Sequence, residues 1–274
     1  MGNGRKSGME SLAGAGVVVT GAGGGIGAAL ARHFAAQDAR VVVNDINADA
    51  AAEVAASCGG TPVTADMATE EGVAALIAAA TGALGEIDLF CANAGTARLG
   101  GPEAGEGDWD ASWQINVMAH VRAARLLLPG WLGRGRGHLI CTVSAAGLLT
   151  MLGSAPYSVS KHAALGFAEW LAATYAHRGI TVQAICPLGV RTAMLADPGP
   201  VAEELLLETA IEPEVVAEAV MEALADGRFL ILPHAEVAAM YAGRAADPDR
   251  WLRGMNKLQR KIEEGPAWLS QAVG

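Results

Sequence analysis

Tyr157 and Lys161 stand four residues apart in the run Tyr157-Ser158-Val159-Ser160-Lys161, so any helix containing them sets them side by side on one face. That pairing has a chemical use. A free phenol titrates near 10, so only about 0.1% of it is ionised at pH 7. Bringing it to about 7 takes roughly 4 kcal/mol of preferential stabilisation of the phenolate. One cation at about 4 Å, with an effective dielectric near 20, supplies about that amount. Lys161 is therefore expected to bring Tyr157 toward neutrality, as a general base for an alcohol or a general acid for a carbonyl. Ser144, directly after the apolar run His138–Val143, can donate a hydrogen bond to an oxygen on which charge develops.

A second group of residues suits phosphate. Thr20-Gly21-Ala22-Gly23-Gly24-Gly25-Ile26-Gly27 lies between the β-branched run Gly16–Thr20 and a segment with Ile26, Leu30 and Phe34 at helical spacing. Glycines there allow a tight turn and close approach to a pyrophosphate, which the N–H groups and dipole of the helix N-terminus then hold. Asp45, 18 positions beyond Gly27, ends the next strand-like run. Its carboxylate can accept hydrogen bonds from a ribose diol and would repel a 2′-phosphate. No Arg or Lys follows it directly, so NAD is favoured over NADP.

Strands and helices must bring these residues together. Short apolar runs (Gly16–Thr20, Ala39–Asp45, Pro62–Ala65, Ile87–Ala92, His138–Val143, Ile180–Cys186 and Phe229–Leu232) alternate with helical stretches at Ile26–Asp38, Ala48–Ser57, Glu70–Thr81, Asp108–Leu132, Pro156–His177 and Pro213–Leu224. Continuous apolar strands mark a parallel sheet covered by helices on both faces. The fold expected is an α/β, Rossmann-type doubly wound parallel sheet. Residues 14–233 read as one catalytic domain, after a Gly-rich tail at 1–13. Residues 234–274 read as a C-terminal helical extension. In it Trp251, Leu252, Met255, Leu258 and Ile262 recur at helical spacing, interleaved with Arg250, Arg253, Lys257, Arg260 and Lys261. Such a basic amphipathic helix is expected to dock on its own domain or on a neighbouring subunit, with a membrane surface as the alternative.

The order of these motifs resembles the short-chain dehydrogenase/reductase family over residues 14–232. The loop reads T-G-x-x-x-G-I-G, and Tyr157 to Lys161 is Y-x-x-x-K. Asp66 is similar to the aspartate that contacts adenine. Asn93-Ala94-Gly95 matches the N-A-G that supports the sheet beside the cofactor. The run from Pro187 through Gly189 and Val190 to Thr192 is similar to P-G-x-V-x-T, although Leu188 stands where a glycine is usual. The resemblance implies a catalytic set of Asn116, Ser144, Tyr157 and Lys161. Asn116 would hold a proton-relaying water, and Lys161 would hold the nicotinamide ribose. The implied cofactor contacts are Gly21, Gly23, Gly24, Gly25, Ile26, Gly27, Asp45, Ile46, Asp66, Met67, Asn93, Ala94, Gly95, Tyr157, Lys161, Pro187, Gly189, Val190 and Thr192. Cys141 and His162, close in sequence to this set, have no family role and read as structural.

The implied activity is NAD-dependent interconversion of a hydrophobic secondary alcohol and its ketone. The alternatives are an NADPH-dependent carbonyl or 3-oxoacyl-thioester reductase, or an idle NAD-binding regulator. The substrate side is expected to be lined by Leu148, Leu149, Met151, Leu152, Met194 and Leu195, with Met194–Ile211 as a lid and Arg98 and Arg191 as the nearby cations. The family also implies a homo-oligomer, here a homotetramer. Its contact helices would carry Asn116 and Tyr157, and Ala163, Ala164, Ala168 and Ala172 would allow close approach.

Composition excludes other classes. Over 274 residues the net charge is −10, which argues against nucleic-acid and anionic-membrane partners. The 35 glycines show no collagen period, and the 52% apolar content argues against disorder. Cys58, Cys91, Cys141 and Cys186 form no C-x-x-C pair and have no histidine cluster beside them, so no metal is expected. The start MGNGRKSGME lacks an apolar signal core, and no stretch is long and apolar enough to span a membrane, so a cytoplasmic protein is expected.

Overall fold

The computed structural model describes residues 11–195 and 206–264. Among the described residues seven strands form one parallel sheet: β1 (Gly16–Val19), β2 (Arg40–Asp45), β3 (Thr61–Thr64), β4 (Leu89–Ala92), β5 (Gly137–Thr142), β6 (Ile180–Ile185) and β7 (Leu230–Ile231). Their spatial order is β3-β2-β1-β4-β5-β6-β7. Both faces of the central strands are buried, which is why they read as unbroken apolar runs. Val18, Val42, Phe90 and Leu139 enter the core on one face. Val17, Val19, Val41, Val43, Leu89 and Ile140 enter the core on the other. Pro62 is tolerated because β3 is an edge strand.

The first core is covered by α3 (Glu70–Leu84), α5 (Ala119–Arg134) and α7 (Ala155–Tyr175). The second is covered by α1 (Gly25–Ala35), α2 (Ala48–Cys58) and α8 (Pro213–Asp226), where α8 and the helices below are numbered over the described chain. α4 (Glu106–Trp113) runs into α5 through a π-turn at Gln114–Met118, and α6 (Ala146–Leu149) is a single turn. The expected continuous helix at 108–132 is thus three pieces, because the π-turn widens the ladder so that Ala119 N–H bonds the Gln114 carbonyl. β1 pairs with β2 on one side and β4 on the other. The chain winds outward from β1 to β3 and then restarts at β4, leaving a crevice at the strands' C-terminal ends where ligands of such sheets bind.

Among the described residues after β7 there are two helices, α9 (Glu236–Ala246) and α10 (Pro248–Glu263). Asp247 divides them, its carboxylate capping α10 by accepting from Arg250 N–H at 2.9 Å. Val237 and Ile262 are buried, and Tyr241 and Trp251 pack half-buried on the α3–α5–α7 core. Trp251, Met255, Leu258 and Ile262 of the α10 stripe are thus at least partly covered, whereas Leu252 is 63% exposed, and Arg250, Arg253, Lys257, Arg260 and Lys261 are exposed. Among the described residues no helix is long and apolar enough to cross a membrane.

Candidate active site

The glycine loop sits at the switch point. Gly21 and Gly25 have φ of +59° and +53°, which favours glycine. At Gly27 the need is space: a Cβ would lie 2.4 Å from the Gly21 carbonyl oxygen and 2.7 Å from Asn93 Nδ2. A Cβ on Gly24 would meet nothing within 4 Å, so the loop opens outward there. Among the described residues no side chain caps α1, whose first N–H groups face that opening. Gly23 N–H and Asn47 N–H donate to the two oxygens of Asp45, both at 2.9 Å, which fixes the carboxylate beside the loop. Ile46 next to it is 68% exposed, an apolar face of the kind an adenine ring covers. Asp66 is half-buried beyond β3, accepting Ala68 N–H at 2.8 Å, and Met67 is buried. Thr192, after β6, comes so close to Gly25 that a Cβ there would meet its Cγ2 at 2.7 Å. Together these residues fit a dinucleotide: donors for phosphates, a fixed acceptor for a ribose diol and an apolar face.

Three strand ends are fastened by Thr20 and Asn93. Thr20 Oγ1 donates to the Cys91 carbonyl at 3.2 Å and accepts Asn93 and Ala94 N–H at 2.9 and 3.0 Å. Asn93 Nδ2 donates to the Thr20 carbonyl at 3.0 Å, and its Oδ1 accepts from Thr142 Oγ1 at 2.9 Å. Gly95 comes next, and a side chain on it would meet Asn116 Oδ1 at 3.0 Å and Lys161 Nζ at 3.4 Å. The glycine therefore lets two of the four expected catalytic residues converge.

Asn116 lies in the π-turn and is fully buried. Its Oδ1 accepts Thr96 N–H at 3.0 Å, and its Nδ2 donates to the Thr96 carbonyl at 2.9 Å and to Ser160 Oγ at 3.0 Å. The amide thus locks the segment after β4 against α7. Lys161 Nζ donates to the Thr142 carbonyl at 2.9 Å and sits 5.6 Å from the Tyr157 ring centre. Ser144 Oγ accepts Ala146 N–H at 3.1 Å.

The electrostatics correct the expectation for Tyr157. Burial holds the phenol above its ordinary value, while its hydrogen bond with Ser144 pulls it back. Burial also lowers Lys161 from 10.5 to about 8. The same apolar surroundings oppose both charged forms, so here the lysine does not bring the tyrosine toward neutrality. Burial thus favours the neutral phenol, with Ser144 as its hydrogen-bond partner.

The substrate side needs two further corrections. Leu148 and Leu149 are core residues, whereas Met151, Leu152 and Leu195 are half-buried and Met194 is exposed. Arg98 pairs with Asp108 at 3.7 Å and Arg191 with Glu212 at 3.1 Å, so neither cation is free. Of the expected lid, residues 196–205 lie outside the described residues. Its far end returns as Ile211, whose N–H donates to the Gly189 carbonyl at 3.1 Å. Pro187 accepts Ala145 N–H at 2.8 Å, and Val190 forms a parallel bridge with Ile211. On α7, Ala164 and Ala168 face the sheet, so they are not available for helix approach between subunits; Ala163 and Ala172 are half-buried.

Several polar residues have no signal in the sequence. His234 Nδ1 accepts Leu188 N–H at 3.2 Å, which supports the turn where the usual glycine is missing. His120, one turn beyond Asn116, is buried with no partner at either nitrogen among the described residues, and burial drives it down to about 3. His138 bonds Gln183 at 2.9 Å across β5 and β6 and is held at about 4, burial outweighing the bond.

Comparison with known proteins agrees with this architecture. Residues 15–200 match the family model for short chain dehydrogenase. The chain is 38% identical over 235 residues to 1-deoxy-11-beta-hydroxypentalenate dehydrogenase of Streptomyces exfoliatus, covering 80% of this chain and 82% of that one. It is 33% identical over 273 residues to oxidoreductase UcpA of Salmonella typhimurium, covering 97% and 98%. The crystal structure of a short chain dehydrogenase/reductase from Burkholderia phymatum in complex with NAD aligns with a TM-score of 0.80 at 28% identity, covering 88% of this chain and 96% of that one. The chain belongs to the short-chain dehydrogenase/reductase family, and it is an oxidoreductase acting on CH–OH groups.

Proposed function

We propose that the protein is an NAD-dependent dehydrogenase of a hydrophobic secondary alcohol and its ketone, with Tyr157 as the acid/base. The observation that carries this reading is the convergence of Tyr157, its hydrogen-bond partner Ser144 and Lys161 at the strand ends, with Lys161 Nζ 5.6 Å from the Tyr157 ring centre. When bound, NAD supplies the hydride acceptor, and NADH the donor. Tyr157 exchanges the proton of the substrate oxygen, and Ser144 donates a hydrogen bond to the same oxygen. Lys161 is placed to hold a ribose hydroxyl, and Asn116 keeps the flanking segment in register. Asp45, already tied by two N–H groups, supports NAD over NADP because a 2′-phosphate would bring a second anion against it. The half-buried Met151, Leu152 and Leu195 and the paired Arg98 and Arg191 support an apolar substrate. The hydroxypentalenate named for the Streptomyces relative is a guide to where screening should begin.

The test is Tyr157→Phe, assayed on lipophilic alcohols with NAD. Turnover should fall by about 10²–10⁴, with NADH affinity within about two-fold of wild type. Activity near wild type in that variant refutes the mechanism. Tighter NADPH than NADH binding refutes the cofactor assignment. We also propose a homotetramer built on α5 and α7, supported by the exposed apolar residues Leu126, Val159 and Trp170 on these helices and Trp113 next to them. A monomer by light scattering at micromolar concentration refutes it.

A further inference from the structure

Arg244, on α9 of the extension, reaches back to the catalytic layer. Its Nη1 donates to the Leu148 carbonyl and to His162 Nε2, the latter at 3.1 Å. His162 Nδ1 lies 2.9 Å from the Ser158 carbonyl, which can only accept. Nδ1 therefore carries the proton, and Nε2 is left to accept from the guanidinium. One side chain thus bridges two segments. Leu148 belongs to α6, the single turn that follows Ser144. His162 directly follows Lys161 on α7, the helix that also carries Tyr157.

A turn of four residues cannot hold itself, since helix nucleation is unfavourable and its terminal carbonyls lack helical donors. α6 lies tightly on α7 at the active site itself: a Cβ on Gly147 would meet the Lys161 carbonyl at 2.7 Å. Between α6, α7 and α9 lies a cavity of about 400 Å³, lined in part by Gly147, His162, Glu169, Tyr241 and Arg244. Removing the guanidinium enlarges this cavity and takes away the side chain that joins the Leu148 carbonyl to His162 across it.

We propose that Arg244 is a positioning residue, which clamps the Ser144 segment to the Tyr157 helix and so sets the Ser144–Tyr157 hydrogen bond. The inference rests on the dehydrogenase reading above. It assigns the extension a part in catalysis and gives His162 a use as the bridge.

The experiment uses the full chain with Arg244→Met, Arg244→Lys and His162→Leu. The first readout is the ultraviolet titration of the Tyr157 phenol, taken as a difference from the same protein carrying Tyr157→Phe. Loss of the Ser144 bond should move that titration upward by about half a unit to one unit in Arg244→Met. The second readout is kinetic. In Arg244→Met, kcat should fall about ten-fold, with KM for the alcohol and NADH affinity within about two-fold. Arg244→Lys should restore part of kcat, and His162→Leu should move both readouts the same way. The phenol titration needs no turnover, so absence of activity in wild type would sink the function and leave the clamp to be judged by titration. A folded Arg244→Met with unchanged titration overturns the proposal, as does an equal loss of kcat and NADH affinity. If Arg244→Met does not fold, an unchanged titration in His162→Leu overturns it instead.

Discussion

Replacing Lys161 by Met should make the protein more stable while abolishing its activity. Lys161 is 3% exposed, and burial lowers its ammonium from 10.5 to about 8. At pH 7 that difference costs the folded state roughly 3 kcal/mol. Methionine fills most of the same volume without the charge. It gives up the bond to the Thr142 carbonyl, at a cost of about 1–2 kcal/mol. The net gain is about 1–2 kcal/mol, a rise in Tm of a few degrees for a chain of this size. The pH dependence carries a definite sign. The folded value lies below the unfolded one, so between about pH 8 and 10.5 the unfolded chain keeps a proton that the folded chain has released. Wild type gains stability as pH rises through that window, and the variant does not. The variant's advantage at pH 7 should therefore shrink by about 2 kcal/mol at pH 9.5. His120, Cys141 and Cys186 feel the Lys161 charge, but their folded values of about 3, about 12 and about 12 lie outside this window, so they cancel in the difference. Thermal or urea unfolding of the two proteins at both pH values measures this, alongside turnover with NAD and an alcohol. A variant that melts below wild type at pH 7, or a gap indifferent to pH, refutes the reasoning.

Acid should destabilise the protein through two buried histidines. The folded values of His120 and His138 are depressed to about 3 and about 4, so the stability present above about 6.5 is lost as pH falls. At pH 5 each costs about 2 kcal/mol. His120→Leu should remove about half of this sensitivity in urea midpoints compared at pH 7 and pH 5, and an undiminished drop would rule out His120 as a source. Gly27→Ala should weaken NADH binding at least about ten-fold and lower stability by about 1–3 kcal/mol, because the new methyl meets the Gly21 carbonyl oxygen and Asn93. Fluorescence titration with NADH showing unchanged affinity would mean that the loop relaxes freely.

The strands and the glycine loop were legible because local chemistry carries them. Val17–Val19 and Val41–Val43 are buried on both faces, which leaves an unbroken apolar signature in the sequence. Asp45 and Lys161 could be placed by spacing from neighbouring motifs. The π-turn was not legible, since Gln114–Met118 carries no proline or glycine and the helix continues on both sides. The split of the extension did have a signal: Asp247 before Pro248 is an N-cap followed by a first-turn proline. The regular apolar spacing around Trp251 masked it. Desolvation of Tyr157 and Lys161 could not be read either, because it depends on what covers them from distant parts of the chain. The bond from Arg244 to His162 joins residues 82 positions apart and leaves no local pattern.

The knot of Thr20 and Asn93 bears on how the molecule folds. It joins residues 73 positions apart in one direction and 49 in the other. No segment can form it locally, and it closes only after β1, β4 and β5 have met. Contacts so distant in sequence are slow to form, since the loop-closure entropy is paid before they reward it. The proposed cofactor cradle is built directly on this knot, between Gly21, Gly27 and Gly95. Competence to bind the dinucleotide should therefore be among the last properties gained on refolding, and its recovery is a direct clock for completion of the central sheet.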